Sequence, residues 1–341
     1  MYHPRIKGPY LEMGRSYGAL LYNHGFRVTA QSKEKLDFSA KSEPEVRRVF
    51  PEILDEIKGF AEGCHASYND MAAFMLTIGA FKPQPMCSSF AAFNGSDLIF
   101  GRNYDFFYSF KKYTESYLTA PQDAFISLGH SDVFIGREDG INENGLAIAM
   151  TGLSDKTIKP GISFVLAVRR VLDKCTNVKE AAKSILNMHA SANANFLLAD
   201  KTGDMAVAEV STDRVLIRKP KDGENFIVCT NHFVLPQMQQ YEDLEGRNKE
   251  NWDTIPRYAT ITEGIRKAGR KMNIKAAQEI MSGHTGYVCS HQDKIKLGTL
   301  WSITAGLKNL DVYRAEGNPC RTKYGEDSRL KRAVLKWKHN C

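Results

Sequence analysis

The sequence predicts an α+β fold in which β-sheets are stacked between helical layers. One reason is the order in which strand patterns and pairs of helix patterns follow one another along the chain. Another is the length of 341 residues, which a single layered unit can reach. Hydrophobic residues make up 43% and charged residues 25% of the chain, as in ordinary globular proteins.

Residues 1–86 are predicted to be helical. The segment 45–60 places its apolar side chains at the three- and four-residue spacing of an amphipathic helix. Pro51 lies inside this pattern, so we expect a kink or the start of a second helix there. Asn69 or Asp70 could cap a further helix that follows.

After residue 86 the pattern changes to strands, interrupted by pairs of helices. Asn94-Gly95 is a strong hairpin signal, and Asn177 with Glu180 forms a capping-box pattern at a helix start. The predicted strands are 87–93, 97–101, 124–128, 132–137, 145–151, 195–200, 205–211, 214–218, 225–230, 299–304 and 311–315. The predicted helices of this part are 163–174, 178–188, 256–268 and 274–281.

Composition and charge limit the expected partners. The net charge of +7 is spread along the chain, and the basic stretch 329–338 lacks the interleaved aromatics of a nucleic-acid surface, so a solvated helix or tail is expected. No apolar run has the length of a signal peptide or a membrane span. The seven cysteines form no C-x-x-C pair and no evident metal-ligand spacing with histidine. We therefore expect reduced thiols, a cytoplasmic protein, no metal and no cofactor.

Cys87 is the leading candidate for a catalytic residue. The segment 83–85 carries two prolines, which hold the chain extended and suit a linker that presents the Met86–Cys87 peptide bond. The cysteine begins an apolar strand. An Arg-Asn-Tyr-Asp cluster follows after a hairpin, so that Arg102 and Asp105 can fold back beside it.

Two arrangements could activate the thiol, and a third interpretation gives it no role. In the first, the Met86–Cys87 bond is cleaved and the freed α-amino group, with an ordinary pKa of about 7.7–8.0, becomes the base. Asp105 would hold the ammonium and Arg102 would favour the thiolate. In the second, Cys87 pairs with His232 at the end of a strand. In the third, Cys87 is a buried, inert thiol and the Arg-Asp pair is a plain salt bridge.

Several short motifs, spread over nearly the whole chain, point to one family. They are GPYLEMGRSYG at 8–18, CSSF at 87–90, GRNYD at 101–105, GINENGLA at 140–147, CTNH at 229–232, IPRY at 255–258 and TLWS at 299–302. Together they resemble the acyl-coenzyme A:isopenicillin N acyltransferase-like proenzymes. They are also similar to the choloylglycine hydrolase and penicillin V acylase family.

The resemblance implies an N-terminal nucleophile hydrolase with a four-layer αββα sandwich. Residues 1–86 would be a helical pro-segment and residues 87–341 the catalytic unit. Cleavage between Met86 and Cys87 would leave the two pieces associated. The substrate would be a small-molecule amide or an acyl-thioester, without nucleic acid or membrane as a partner, and the chain could also form a homo-oligomer.

The resemblance also implies the roles of individual residues. Cys87 would be both the self-cleavage residue and the nucleophile. The amide of Asn231 and a backbone N–H near 151–152 would bind the oxyanion. The implied catalytic set is Cys87, Arg102, Asp105, Asn231 and Arg257. The candidate acyl pocket comprises Tyr104, Phe106, Phe107, Thr151 and His232, the last as a bystander that lines the site.

The sequence departs from these families at two points. The acyltransferase-type proenzymes often have glycine before the cysteine, where this chain has Met86, so cleavage could be slower or absent. The choloylglycine hydrolases carry a side-chain asparagine where this chain has the segment 151–153, which disfavours bile-salt hydrolysis. Four functions stay open: a linear-amide hydrolase, an acyltransferase from an acyl-thioester to an amine, an unprocessed Cys-His hydrolase, and a catalytically silent binding protein.

Overall fold

The computed structural model describes residues 1–81, 86–246 and 253–338, so the predicted extended linker at 83–85 lies outside the described residues. The described residues before Met86 contain one strand and four helices. They are β1 (Arg5–Gly8), α1 (Tyr10–Asn23), α2 (Lys33–Val49), α3 (Glu52–Gly63) and α4 (Tyr68–Leu76). The prediction that this part is mainly helical is therefore confirmed for residues 1–81.

The helix boundaries here follow local chemistry. Helix α2 ends at Val49 and α3 begins at Glu52, because Pro51 has no N–H to continue the ladder of α2. The predicted cap of α4 was wrong. Ser67 precedes the helix, and its Oγ accepts a hydrogen bond from the Asp70 N–H at 3.1 Å.

The strands form two sheets. The first, sheet A, has the order β1, β4 (Glu115–Pro121), β5 (Ser127–Ser131), β6 (Asp139–Asn142), β7 (Leu146–Gly152), β8 (Ala194–Asp200), β9 (Met205–Val210), β10 (Val215–Arg218). The second, sheet B, has the order β11 (Phe226–Cys229), β2 (Met86–Phe93), β3 (Leu98–Phe107), β13 (Leu297–Gly306), β14 (Asp311–Ala315), β15 (Gly325–Glu326), with β12 (His291–Gln292) beside β13. Within both sheets the described strand pairs are antiparallel, except that β1 runs parallel to β4.

Further helices follow the strands. They are α5 (Phe164–Lys174), α6 (Val178–Leu186), α7 (Pro236–Gln239), α8 (Thr254–Ala268), α9 (Ile274–Met281) and α10 (Arg329–Lys338). The predicted cap of α6 is confirmed, since the Asn177 Oδ1 accepts from the Glu180 N–H at 3.0 Å. Among the described residues, no helix combines the length and the apolar character needed to cross a membrane.

Alternation along the strands divides most of the described buried apolar side chains among three large clusters. In β7, Ile148 and Met150 pack with α1–α6, whereas Ala147 and Ala149 join a core that contains residues of both sheets. In sheet B, Phe90 instead packs with side chains of α8 and α9. Strand β7 therefore packs on helices with one face and on a core shared with sheet B with the other, and β2 places Phe90 against α8 and α9.

The segment before Cys87 is built into the same unit as sheet A. Its strand β1 is the edge strand of that sheet. Arg169 of α5 forms a buried ion pair with Glu56 of α3 at 3.0 Å, and the Tyr10 hydroxyl donates to Asp173 at 2.9 Å. These buried contacts join α1 and α3 to α5, in the part of the chain after Cys87.

One predicted strand is absent, and the described strands β1, β4, β6, β12 and β15 were not predicted. Residues 132–137 form turns rather than a strand, because the Arg137 Nη1 donates to the carbonyls of Phe134, Ile135 and Gly136 at 2.7–3.0 Å. A side chain thus satisfies acceptors that a neighbouring strand would otherwise occupy. Strand β4 was not predicted, and the strand predicted at 124–128 lies three residues later, as β5.

Candidate active site

Cys87 lies at the start of β2, with β11 on one side and β3 on the other. Its side chain is fully buried. Its main-chain N–H donates to the Asn231 Oδ1 at 2.9 Å, and its carbonyl oxygen accepts from the Arg257 Nη1 at 2.5 Å. Side chains from outside the sheet therefore fix both polar groups of the Cys87 main chain.

Arg102 brings a buried positive charge to the thiol. It sits on β3, and its Nη2 lies 3.4 Å from the Cys87 Sγ. Its Nε is paired with the Asp139 Oδ2 at 2.7 Å, and its Nη1 donates to the Met150 carbonyl. Burial raises the pKa of the Cys87 thiol well above its usual range, and the Arg102 charge opposes that shift. The thiol of the uncleaved chain is therefore neutral at physiological pH.

Asn231 and Arg257 form a connected polar group behind Cys87. Asn231 follows the end of β11, and its Oδ1 also accepts from the Arg257 Nη2 at 2.8 Å. The Asn231 Nδ2 donates to the Gly152 carbonyl at 2.7 Å. Arg257, from α8, is buried and also donates to the Ser88 Oγ at 2.9 Å. The structure thus brings these two predicted residues to Cys87, and the oxyanion role of Asn231 stays a prediction.

Asp105 lies opposite Met86 in the β2–β3 pairing, next to the peptide bond predicted to be cleaved. Its Oδ1 accepts from the Thr299 hydroxyl at 2.5 Å. Its buried Oδ2 receives no hydrogen bond from any residue of the described ranges. Burial raises the pKa of Asp105 to about 6, against the opposing effects of Arg257, Thr299 and Arg102.

This pKa predicts a pH dependence of stability. A carboxyl whose pKa is raised in the folded state binds more protons in the folded than in the unfolded chain. The contribution of Asp105 to the unfolding free energy therefore falls as pH rises from about 4 to about 6. We expect the Cys87→Ala chain to lose roughly 3 kcal/mol of unfolding free energy over that window through Asp105. Denaturant titrations at several pH values measure it. In Cys87→Ala/Asp105→Asn that component should vanish, and identical pH profiles of the two proteins would contradict the assignment.

The aromatic residues of the predicted acyl pocket lie on β3. Tyr104 stacks on Trp301 with ring centroids 3.8 Å apart, and its hydroxyl donates to the Asp132 Oδ2 at 3.0 Å. Phe106 is buried between Tyr104 and Phe110, and Phe107 packs beside Met86. These side chains therefore form an aromatic wall on the strand that pairs with Cys87.

Thr151 and His232 face a different group of residues. The Thr151 hydroxyl donates to the Thr230 carbonyl at 2.8 Å. The His232 Nδ1 lies 2.8 Å from the Thr254 hydroxyl and 3.1 Å from that of Thr230. These contacts join the end of β11 to α8. The pocket role of Thr151 and His232, and the Cys-His alternative, stay predictions.

A largely apolar cavity of about 880 Å³ lies where the N-terminal helices meet sheet A. Phe26 and Phe74 line it from the part before Cys87, and Phe110 and Phe134 line it from the part after. Asp132 also lines the cavity and accepts a hydrogen bond from the Tyr104 hydroxyl. Tyr104 in turn is the residue that pairs with Cys87 between β2 and β3. Phe110 and Tyr113, which follow the Arg-Asn-Tyr-Asp cluster, line this cavity, whereas none of the five residues predicted to form the acyl pocket does.

Sequence reasoning missed a buried charged network beside Arg102. Asp139 also contacts His130 Nδ1 at 2.7 Å and accepts from the Trp301 Nε1 at 3.0 Å. Although burial opposes the shift, His130 and Arg102 lower the pKa of Asp139. Burial and the nearby Asp132 raise the pKa of Glu138 well above its usual range. The available signal was the charged run at 137–139, directly before the GINENGLA motif.

Sequence reasoning did not single out one group of side chains whose ligand atoms the structure brings together. His284, Cys289, His291 and Cys320 each offer one ligand atom, and these four atoms lie within 4.8 Å of one another. The pair Cys289-x-His291 was the visible signal in the sequence. Cys320 joins it from another loop, 29 residues after His291.

The sequence matches the family model of acyl-coenzyme A:6-aminopenicillanic acid acyl-transferase over residues 92–321, about two thirds of its length. The chain belongs to that family. The matched region begins after Cys87 and includes Arg102, Asp105, Asn231 and Arg257.

Solved structures give similarities at low sequence identity. The Caenorhabditis elegans ortholog of N-acylethanolamine-hydrolyzing acid amidase is 17% identical, with a TM-score of 0.49 over 65% of this chain and 93% of that one. Penicillin V acylase from Agrobacterium tumefaciens is 15% identical, with a TM-score of 0.48 over 72% and 87%. A mutant of conjugated bile acid hydrolase from Clostridium perfringens is 16% identical, with a TM-score of 0.49 over 72% and 98%. No curated protein matches the sequence.

Proposed function

We propose that this protein is a self-processing cysteine hydrolase that cleaves linear, non-peptide or small-peptide amides through an acyl-enzyme on Cys87. The observation that carries the proposal is the pair of contacts at this residue. Its N–H is held by the Asn231 Oδ1 at 2.9 Å, and its Sγ lies 3.4 Å from the Arg102 guanidinium. The nitrogen that would become the catalytic base is thus fixed beside the thiol that it would deprotonate.

Self-processing would use the same residue. The Cys87 Sγ attacks the Met86 carbonyl carbon, its proton passes to the Cys87 nitrogen, and the peptide C–N bond breaks. A thioester then joins Met86 to the Sγ. Water attacks the thioester, giving the Met86 carboxylate, the free thiol and a new α-amino group at Cys87. The expected products are residues 1–86 and 87–341.

Asp105 supports this sequence of steps. Its buried Oδ2 has no described hydrogen-bond donor, and the residue lies opposite Met86. Cleavage would create an ammonium at the Cys87 nitrogen, which Asp105 could hold together with the Asn231 Oδ1. Because an adjacent positive charge favours the carboxylate, cleavage should lower the raised pKa of Asp105 and stabilise the processed state.

In the processed enzyme the thiol would attack the substrate carbonyl. The carbonyl oxygen then carries negative charge, which needs hydrogen-bond donors already in place. The side-chain amide of Asn231, whose Nδ2 donates to the Gly152 carbonyl at 2.7 Å in the uncleaved chain, would be one donor to the oxyanion. A main-chain N–H near 151–152 would be the other donor. The amine leaves with a proton from the α-ammonium, and water then releases the acyl group.

The apolar cavity suits the acyl group of the substrate. Its walls are mainly hydrophobic, and its volume of about 880 Å³ is in the range of small-molecule sites. Side chains from both sides of the cleavage point form these walls, so the two pieces would have to remain associated. We assign the two sheets and their helices to the four-layer αββα sandwich. The six described cysteines are free thiols, which supports a reducing compartment such as the cytoplasm.

An acyltransferase is the second candidate, since the matched family model is that of an acyl-transferase. The acyl-enzyme on Cys87 would be the same, formed from an acyl-thioester. An amine instead of water would then accept the acyl group. The two reactions differ in how well the site excludes water while the acyl-enzyme exists.

Mass spectrometry of the acyl-enzyme tests the proposal. Wild-type protein is mixed with N-acyl amides and acyl-thioesters of increasing chain length and quenched within the first turnovers. We expect the 87–341 piece to gain the mass of the acyl group on Cys87, and added amine to divert product if the protein is a transferase. As a control, Cys175 lies in the helix-packed cluster rather than in the cluster that contains Cys87. The Cys175→Ser protein should therefore gain the acyl group on Cys87 like the wild type. Turnover by a full-length, uncleaved wild type would overturn the proposal.

A further inference from the structure

The four residues His284, Cys289, His291 and Cys320 form a cluster apart from the proposed catalytic residues, and we call it the His-Cys cluster. His284 precedes a 3-10 turn at Thr285–Tyr287, and His291 begins the short strand β12. Cys320 belongs to the loop between β14 and β15. Three separate pieces of backbone thus bring their thiols and imidazoles to one point. We propose that this cluster is a structural zinc site.

The distances fit a tetrahedral zinc ion. Zinc binds sulfur at about 2.3 Å and histidine nitrogen at about 2.0–2.1 Å, so a sulfur and a nitrogen on one ion lie about 3.5 Å apart. The His291 Nε2 lies 3.4 Å from the Cys289 Sγ and 2.9 Å from the Cys320 Sγ. The rings of His284 and His291 have centroids 5.4 Å apart at an angle of 75°. Small movements of the four side chains would therefore let all of them bind one ion.

The ligand types select zinc among common divalent ions. Two thiolates and two imidazoles match the Cys₂His₂ set of structural zinc sites, whereas magnesium and calcium prefer oxygen ligands. With four protein ligands the ion has no open position for water or substrate. The site is therefore structural. Zinc would displace the two thiol protons, and the two thiolates would balance its double positive charge.

The backbone around the cluster has little regular structure of its own. The Cys289 N–H donates to the Gly283 carbonyl at 2.8 Å, and the Asn318 Nδ2 donates to the Ser290 carbonyl at 2.8 Å. The bond from Asn318 already ties the loop that carries Cys320 to the segment that carries Cys289. A metal ion would crosslink the same two loops at a second point.

The zinc site would help to position Asp105 through a chain of hydrogen bonds. Ser290, next to Cys289, donates its N–H to the Thr299 hydroxyl at 3.1 Å, and that hydroxyl donates to the Asp105 Oδ1 at 2.5 Å. Asn103 also donates to the Val288 carbonyl at 2.7 Å. Zinc at the cluster would thus hold the segment that positions the Thr299–Asp105 pair. This consequence rests on the proposed function, but the metal site itself does not.

Metal analysis of the full-length protein tests the site without an activity assay. The protein is expressed with zinc in the medium, freed of any affinity tag and dialysed, and its metal content is measured by mass spectrometry of the elements. We expect one zinc per chain. Replacement by Co²⁺ should give the absorption bands of tetrahedral cobalt with thiolate ligands. A strong chelator should lower Tm by at least about 5 °C.

Single substitutions localise the ion. Cys320→Ser and His291→Gln should reduce bound zinc at least tenfold and abolish the effect of the chelator on Tm. Cys64→Ser, which keeps a donor for the Gly18 carbonyl that the Cys64 thiol now contacts, should bind zinc like the wild type. Wild-type protein without stoichiometric zinc, or with a Cys289–Cys320 disulfide shown by thiol counting, would overturn the proposal. So would full zinc binding by both cluster variants.

Discussion

Replacing Cys87 with alanine is expected to leave the chain at full length and to remove all turnover of amide and acyl-thioester substrates. Alanine keeps the N–H that Asn231 binds and the carbonyl that Arg257 binds, so the main chain can stay in place. What disappears is the sulfur that would attack both the Met86 carbonyl and the substrate. Intact-mass spectrometry measures the first effect, and product release measures the second.

The Cys87→Ala substitution should affect self-cleavage and substrate turnover together. Without an alternative nucleophile, both rates should fall by more than about 10⁴-fold, as on removal of other catalytic nucleophiles. Cys87→Ser retains an oxygen nucleophile and should process slowly, which separates loss of the thiol from loss of the fold. A Cys87→Ala chain that is still cut after Met86, or that still turns over substrate, would exclude the thiol from the reaction.

The regular parts of the fold were readable from local signals. Pro51 marked the end of α2, and Asn177 with Glu180 marked the start of α6, because these effects act within a few residues. The strand predicted at 132–137 fails for the opposite reason. The buried Arg137 side chain donates to carbonyls of its own loop. Burying an arginine is unfavourable unless hydrogen bonds compensate, and only the tertiary structure provides that environment.

The same distinction applies to the site. Arg102 and Asp105 lie on the strand that pairs with β2, so their closeness to Cys87 follows from a hairpin. Asn231 and Arg257 are more than a hundred residues away, and family resemblance rather than pattern pointed to them. Glu138, Asp139 and the His-Cys cluster had no local pattern strong enough to stand out, because their partners come from distant strands and loops.

Replacing Arg257 with methionine is expected to slow both self-cleavage and turnover by at least about 10²-fold. The buried guanidinium donates to the Cys87 carbonyl, the Ser88 hydroxyl and the Asn231 Oδ1. Methionine fills much of the space but donates nothing, so these buried acceptors lose charge-assisted bonds worth roughly 1.5–3 kcal/mol each. Loss of about 3 kcal/mol in the positioned state corresponds to about 10²-fold in rate.

A matched arginine on the same helix gives the control. Arg266 is 59% exposed in its pair with Glu224, so Arg266→Met should change either rate by no more than a few-fold. A second readout separates positioning from simple loss of stability. Arg257 lowers the pKa of Asp105, so in the Cys87→Ala background Arg257→Met should move the Asp105-dependent loss of unfolding free energy to higher pH. Arg266→Met should leave that window in place. A folded Arg257→Met protein with rates within five-fold of wild type and an unmoved window would show that the guanidinium does not hold the Cys87 main chain for reaction.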